Sequence, residues 1–223
     1  MNLSLRLQTI LNHIQPVPVL ADIGCDHGKL LLAALKSTKC EFGIGTDVRA
    51  MPLKRAQETL KKAGYQQQTV FYQTDGMKNI PEEAQCWVLA GMGAELMVKI
   101  INDSINKAQQ TTQIVMCPHH QPEILRLKMA SLGFEVIKED LIFDDHFYWV
   151  ISYQYHGQTI TLSLYEQYFG QLKKAQLLSY ATKLYQQNFK HQQRNPKSKQ
   201  LIELITKEFS VDPLQVLAAD DQD

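Results

Sequence analysis

The sequence predicts an α/β fold: a doubly wound sheet whose last two strands form an antiparallel hairpin, followed by a C-terminal helical hairpin. Three observations predict it. Strand and helix signals alternate with short connections over residues 1–160, the pattern of a parallel sheet covered by helices on both faces. The final two strand signals are separated only by Asp144-Asp145-His146, so they must pair antiparallel. After Gly157 the composition turns to Gln, Tyr and Lys with apolar residues at helical spacing.

Taken in order, VPVLADIG (17–24) is a β-rich run and GKLLLAALKS (28–37) a compact helix. FGIGTDV (42–48) reads as a second strand. PLKRAQETLKKAG (52–64) is an amphipathic helix, with Pro52 suited to its first turn and Gly64 to its end. TVFYQ (69–73) and CWVLAG (86–91) are strands three and four, and AELMVKIINDSINKA (94–108) is helical. TQIVMCP (112–118) is a strand stopped by Pro118, PEILRLKMASLG (122–133) a helix, and FEVIKEDLIF (134–143) and FYWVISYQY (147–155) the closing strands. Tyr148 and Trp149 alternate across the last of these, so one is expected in the core and the other toward a cleft. In the tail, Tyr165, Tyr168, Phe169, Leu172, Leu177, Ala181, Leu184 and Tyr185 mark one helix through residues 161–193. Asn195-Pro196 reads as a cap and first-turn proline for a second, carrying Leu201, Ile202, Ile205 and Phe209. The last residues, Asp220, Asp221, Gln222 and Asp223, are expected to fray.

With 223 residues, 44% apolar and 21% charged, the chain is long enough for one large domain and a small appendage. No apolar run approaches the ~20 residues of a membrane span. MNLSLRLQTILNHI is interrupted by Gln8, Asn12 and His13 and has no signal-peptide core. A cytoplasmic location, away from membranes, is the expectation. Cys25, Cys40, Cys86 and Cys117 form no C-x-x-C pair and read as free thiols. His27, Cys117 and His119 all lie at strand ends, but no ligand spacing supports a metal. Net charge is zero, yet residues 161–200 hold seven Lys/Arg (173, 174, 183, 190, 194, 197 and 199) against Glu166, a local charge of about +6. The division expected is a ligand-binding domain over 1–160 and a basic hairpin over 161–223.

Ligands of open α/β sheets bind beyond the carboxyl ends of the strands. There lie Asp22 to Gly28, Asp47, Asp75-Gly76, Ala90-Gly91-Met92-Gly93 and Cys117-Pro118-His119-His120. A dinucleotide fingerprint needs glycines at 26 and 29, where the chain has Asp26 and Lys29, and a carboxylate there would repel a pyrophosphate. The pattern D-x-G-x-G-x-G fits better: Asp22, Gly24 and Gly28 match and only the middle glycine is replaced. S-adenosylmethionine carries no phosphate and a positive sulfonium, so a carboxylate beside it is favourable. Asp47, 23 residues beyond Gly24, can accept both ribose hydroxyl protons, and Asp75-Gly76 suits a turn beside the adenine. The plainer readings are that Asp22 and Asp47 cap the helices that follow them, and that Asp75-Gly76 is an ordinary turn.

LRLQTI (5–10), ADIGCDHGKL (21–30), Asp75-Gly76, AGMGAELM (90–97) and the basic tail together resemble the bacterial tRNA adenine-22 N1-methyltransferases, over the whole chain. The resemblance implies a class I, Rossmann-like S-adenosylmethionine fold and methyl transfer to N1 of an adenine in tRNA. It implies a cofactor role for Asp22, Gly24, Asp26, His27, Gly28, Asp47, Asp75 and Gly76, with Ala90, Gly91, Met92 and Gly93 lining the cleft between cofactor and base. Two segments depart from the family's pattern. Cys117-Pro118-His119 stands where the family has Gln-Pro-Asn, and Asp145-His146-Phe147-Tyr148 where it has Gly-Lys-x-Tyr. Both concern the base and its place in the RNA, not the cofactor.

On this reading Asp26 is the candidate catalytic group, a carboxylate that stabilises the cationic methylated ring and accepts an N6 proton. The alternative is that Asp26 only fixes its loop by hydrogen bonds. Pro118, His119 and Tyr148 are candidates for contact with the flipped base, His119 by hydrogen bonding or stacking. Lys173, Lys174, Lys183, Lys190 and Arg194, with Arg6 from the N-terminus, are candidates for RNA phosphates, the bland alternative being a solvated helix face. No obligate protein partner is expected. Two rival functions stay open: a small-molecule methyltransferase, which has no need of a basic hairpin, and a tRNA-binding relative without turnover.

Overall fold

In a computed structural model, residues 3–81 and 83–210 are described; the acidic end at 220–223 lies outside them. The chain divides into two compact units, Met1–Thr161 and Leu162–Asp223.

The first unit contains α1 (Leu5–His13), β1 (Val17–Ile23), α2 (Lys29–Lys36), β2 (Cys40–Asp47), α3 (Ala50–Lys62), β3 (Thr69–Gln73) and β4 (Cys86–Ala90). It continues through α4 (Ala94–Asp103), α5 (Ile105–Ala108), β5 (Gln113–Cys117), α6 (Pro122–Ser131), β6 (Phe134–Asp144) and β7 (His146–Tyr155). The seven strands run in the order β3-β2-β1-β4-β5-β7-β6. Strands β1 to β5 pair parallel, while β7 joins both β5 and β6 antiparallel. Strand order reverses between β1 and β4, which opens a crevice at their carboxyl ends.

The elements follow from local sequence. Leu53, Ala56 and Leu60 are the buried stripe of α3. Gly64 ends that helix at φ 84°, with nothing near its missing side chain; it is there for the conformation alone. The helix signal over 94–108 is realised as two pieces broken at Ser104. Ile10, Ile14, Leu31 and Leu35 of α1, α2 and their margins pack with Leu20, Val88, Val115 and Val150 in one apolar cluster. The α6 residue Arg126 is fully buried, pairs with Glu139 of β6 at 2.7 Å and lies 4.0 Å over the Trp149 ring.

Helix α1 follows from a Ser4 side chain that accepts the Leu7 N–H, and from apolar residues at 7, 10, 11 and 14. It is fastened at both ends to the β6–β7 hairpin. Near its start the Arg6 N–H donates to Asp144 Oδ2 at 3.4 Å. At its end the buried His13 meets Ser152 Oγ through Nδ1 at 2.7 Å and Asp140 Oδ2 through Nε2 at 2.9 Å. Gln113 donates to both Ser152 Oγ and the His13 carbonyl, which closes the network.

The second unit corrects one expectation. The single helix expected through 161–193 is two, α7 (Leu164–Phe169) and α8 (Lys174–Phe189). Ser163 and Glu166 form a reciprocal capping box that starts α7, and Gly170, at φ 58° and ψ −141°, stops it. The second helix of the hairpin, α9 (Pro196–Phe209), is capped by the Asn195 side chain and packs on α8.

Candidate functional site

The crevice at the switch point is lined in two adjoining parts that share Gly24, Arg49, Ala90 and Gly91. The smaller, about 210 Å³, has Asp47, Asp75, Gly76 and Met92 along it, with Leu96 and Ile100 from α4 as an apolar wall. The larger, about 590 Å³, is bounded by Asp22, Asp26, His27, Arg6 and His119.

The loop after β1 is held from beneath, because the Gly24 and Cys25 N–H groups both donate to the Thr46 carbonyl of β2. Gly24 has φ 80° and a side chain there would meet Met92 at 3.0 Å. Asp26 is also left-handed, at φ 44°, a backbone that glycine adopts freely and that, among other residues, Asp and Asn tolerate best. Its carboxylate is exposed and stands 3.6 Å from His27 Nε2. Asp22 is buried, and burial, then the charges of Asp26 and Asp47, push its pKa up to about 7. Asp47 is equally buried and accepts the Arg49 N–H at 2.9 Å. Neither acid caps a helix: Gly28 stands at the start of α2 and Arg49 at that of α3.

The loops after β4 and β5 are joined backbone to backbone. Gly91 N–H donates to the Cys117 carbonyl at 3.3 Å and His119 N–H to the Met92 carbonyl at 3.0 Å. Gly93 is required for space, since a Cβ there would lie 2.7 Å from the His120 ring. Burial, followed by the Arg6, His146 and His120 charges, lowers the His119 pKa, so its imidazole is held neutral. Burial raises the Cys117 thiol to about 12, which leaves it unionised.

The residues singled out from sequence therefore divide. Asp22, Gly24, Asp26, His27, Asp47, Asp75, Gly76, Ala90, Gly91, Met92, Arg6 and His119 line the crevice. Gly28, Gly93 and Pro118 are not among its lining residues. Gly28 instead lets α2 approach α3, where a Cβ would fall 2.8 Å from Leu60. Tyr148 and Trp149 are both buried, Tyr148 with its ring 3.9 Å from that of His146. Lys173, Lys174, Lys190 and Arg194 are exposed and Lys183 half-exposed, all in the second unit. Sequence reasoning missed Arg49, Lys29, Leu96, Ile100 and the α1 residues Leu3, Ser4 and Leu7. The four-residue spacing of Leu96 and Ile100 on α4 was the available signal for that wall. Among the described residues no group of three or more His, Cys, Asp or Glu is placed to hold a metal ion.

A methyltransferase-domain family profile matches residues 3–151. The chain belongs to that family. The methyltransferase domain is 30% identical over 145 residues to the tRNA (adenine(22)-N(1))-methyltransferase of Bacillus subtilis. That match takes in 63% of this chain and 61% of the relative, less than two thirds of its length. Among solved structures, Sp1610 of Streptococcus pneumoniae in complex with S-adenosyl-L-methionine superposes with a TM-score of 0.82 at 19% identity, over 93% of this chain and 100% of that one. TrmK of M. capricolum in complex with S-adenosyl-homocysteine gives 0.77 at 24% identity, over 92% and 95%. These structures share the fold of the methyltransferase domain and of the helices that follow it.

Proposed function

We propose that the chain transfers the methyl group of S-adenosylmethionine to N1 of an adenine in tRNA, at position 22, in the cytoplasm. The observation that carries this reading is the two-part crevice at the β1/β4 switch point, acid-lined along its length and walled by apolar residues at one end. Its donor set suits this cofactor. Buried Asp22 and Asp47, with Asp26 beside them, favour a cation and disfavour a pyrophosphate. Asp47 would hold the ribose hydroxyls, Asp75-Gly76 with Leu96 and Ile100 the adenine, and Asp22 with Gly24 the methionyl end. The bound cofactor supplies an electrophilic methyl group. The name of the Bacillus subtilis relative, and the family resemblance of the motifs, support adenine N1 as the acceptor and tRNA as its carrier.

Adenine N1 carries an in-plane lone pair and needs no deprotonation, so the protein's task is exposure and alignment. The larger part of the crevice has room for an extruded base, and Asp26 and His119 are among the polar groups on its wall. The Asp26 carboxylate stabilises positive charge as it develops on the ring and takes up a proton from N6. Neutral His119, with one ring nitrogen engaged by the Gly91 backbone, presents the other as an acceptor for the N6 amino group. The lysines and Arg194 of the second unit hold tRNA by its phosphates.

The test is incubation of unmodified tRNA with the protein and S-adenosylmethionine, then nuclease digestion and mass spectrometry. N1-methyladenosine mapped to nucleotide 22 is the expected product. A preparation that binds the cofactor yet leaves every adenine of the tRNA unmethylated would overturn the proposal.

A further inference from the structure

One charged group in the crevice has a setting of its own. Arg6 projects from the first turn of α1, half-buried, and lines the larger part of the crevice. Its guanidinium lies 5.3 Å over the Tyr148 ring and beside the Cys117 thiol. Tyr148 and Cys117 are themselves buried, at 7% and 1% exposure, so the guanidinium is the surface that a ligand meets. Gly91 leaves that surface uncovered: a Cβ there would stand 3.8 Å from both Arg6 Nη1 and His119 Nε2. Among the described residues, Arg6 forms no ion pair with a carboxylate. A half-buried cation at the strand ends with no directly paired carboxylate among the described residues, backed by an aromatic ring, is built to receive something.

We infer that Arg6 is the stacking platform of the target adenine, an assignment that rests on the proposed function and specifies how the base is held. Two arguments favour a base over a phosphate. Arg6 contacts Cys117 and Tyr148 at the strand ends, on the floor of the crevice, where an extruded base reaches and the RNA backbone does not. The guanidinium is also keyed by a ring, and a guanidinium plane accepts a base on its face as an aromatic side chain does. Stacking holds the base in place, while Asp26 on the wall of the same part of the crevice takes the charge that develops on the ring.

The experiment compares the full-length protein with Arg6→Lys and Arg6→Met in two measurements: tRNA kcat/KM, and S-adenosylmethionine affinity by calorimetry. Thermal melts check folding; the Arg6 bond to Asp144 uses the backbone N–H and survives both changes. Cofactor affinity should stay within about twofold. Values of kcat/KM should fall on the order of 10- to 100-fold in both variants, the range of one lost base-stacking contact. Wild-type kcat/KM in Arg6→Lys would mean that charge alone suffices and would replace stacking with a phosphate contact. A cofactor affinity that falls as far as kcat/KM would move Arg6 to the cofactor. A wild-type protein that methylates no tRNA would overturn the proposed function itself, a result distinguishable from both.

Discussion

Asp26 occupies a backbone that glycine would adopt freely. A non-glycine residue in the left-handed region costs on the order of 1 kcal/mol, and such strain collects at functional sites. Asp26→Gly should therefore melt at the same temperature as the wild type or slightly above it. Its turnover at saturating substrate should fall by roughly tenfold or more, as expected for loss of a general acid–base group. Asp26→Asn keeps a side chain that tolerates φ 44° and removes only the charge, so it should lose rate to a similar degree. Full turnover in both variants, measured at saturating tRNA, would reduce Asp26 to a loop residue. At this scale the sequence was legible where function is tied to a strand end. Asp22, Asp47, Asp75 and Gly91 all reach the crevice because the ends of parallel strands converge there. Arg49 and Lys29 were not legible, because a long basic side chain at a helix start carries no local mark of the cavity that it faces.

Helix α1 was the element that sequence reading did not identify as a helix. Gln8, Asn12 and His13 interrupt its apolar stripe, and only the folded chain turns His13 inward onto Ser152, Asp140 and Gln113. Burial is the leading cause of the lowered His13 pKa; the nearby Lys138 lowers it further, while Asp140 and Glu139 act against both. The sign of the consequence is fixed. The unfolded chain protonates this histidine near pH 6.5 and the native chain only below that, so its contribution to stability falls as pH drops through 6.5. His13→Ala should cost about 1–3 kcal/mol at pH 7.5, because it leaves buried Ser152 and Gln113 short of a partner. Denaturant unfolding between pH 7.5 and 5 should also show a flatter stability curve for the variant. A curve as steep as the wild type's would assign the acid sensitivity to another group. The tail helix was misread for a simpler reason: the apolar stripe continues across Gly170, and periodicity alone does not register a glycine stop.

For the molecule as a whole, the parallel sheet and its antiparallel ending were readable because alternation and connection length leave few topologies open. The charge asymmetry was equally plain, with seven basic side chains and one acid over 161–200. Lys174 spends its charge on Glu208 at 2.7 Å, and Lys199 has Glu203 within 4.0 Å. Arg194 and Lys190 are exposed and, among the described residues, form no ion pair with an acid, so they are the better choices for substitution. A variant with Lys190→Gln and Arg194→Gln should bind tRNA more weakly across all sequences. Its plot of log affinity against log salt should be shallower by roughly 0.7–0.9 for each phosphate contact removed. An unchanged slope in filter-binding titrations would return these residues to the status of a solvated surface.

The paired backbone bonds between the loops after β4 and β5 have a thermodynamic consequence. Gly91 and Met92 line the smaller part of the crevice, and through those bonds they hold His119, which lines the larger. A ligand that orders one loop spares its counterpart part of the entropy of ordering the other. On the proposed reading the cofactor and tRNA then bind with positive heterotropic cooperativity, each raising the affinity of the other by the same factor. A base is then held more tightly in a site already charged with its methyl donor, and the donor more tightly once a base is in place.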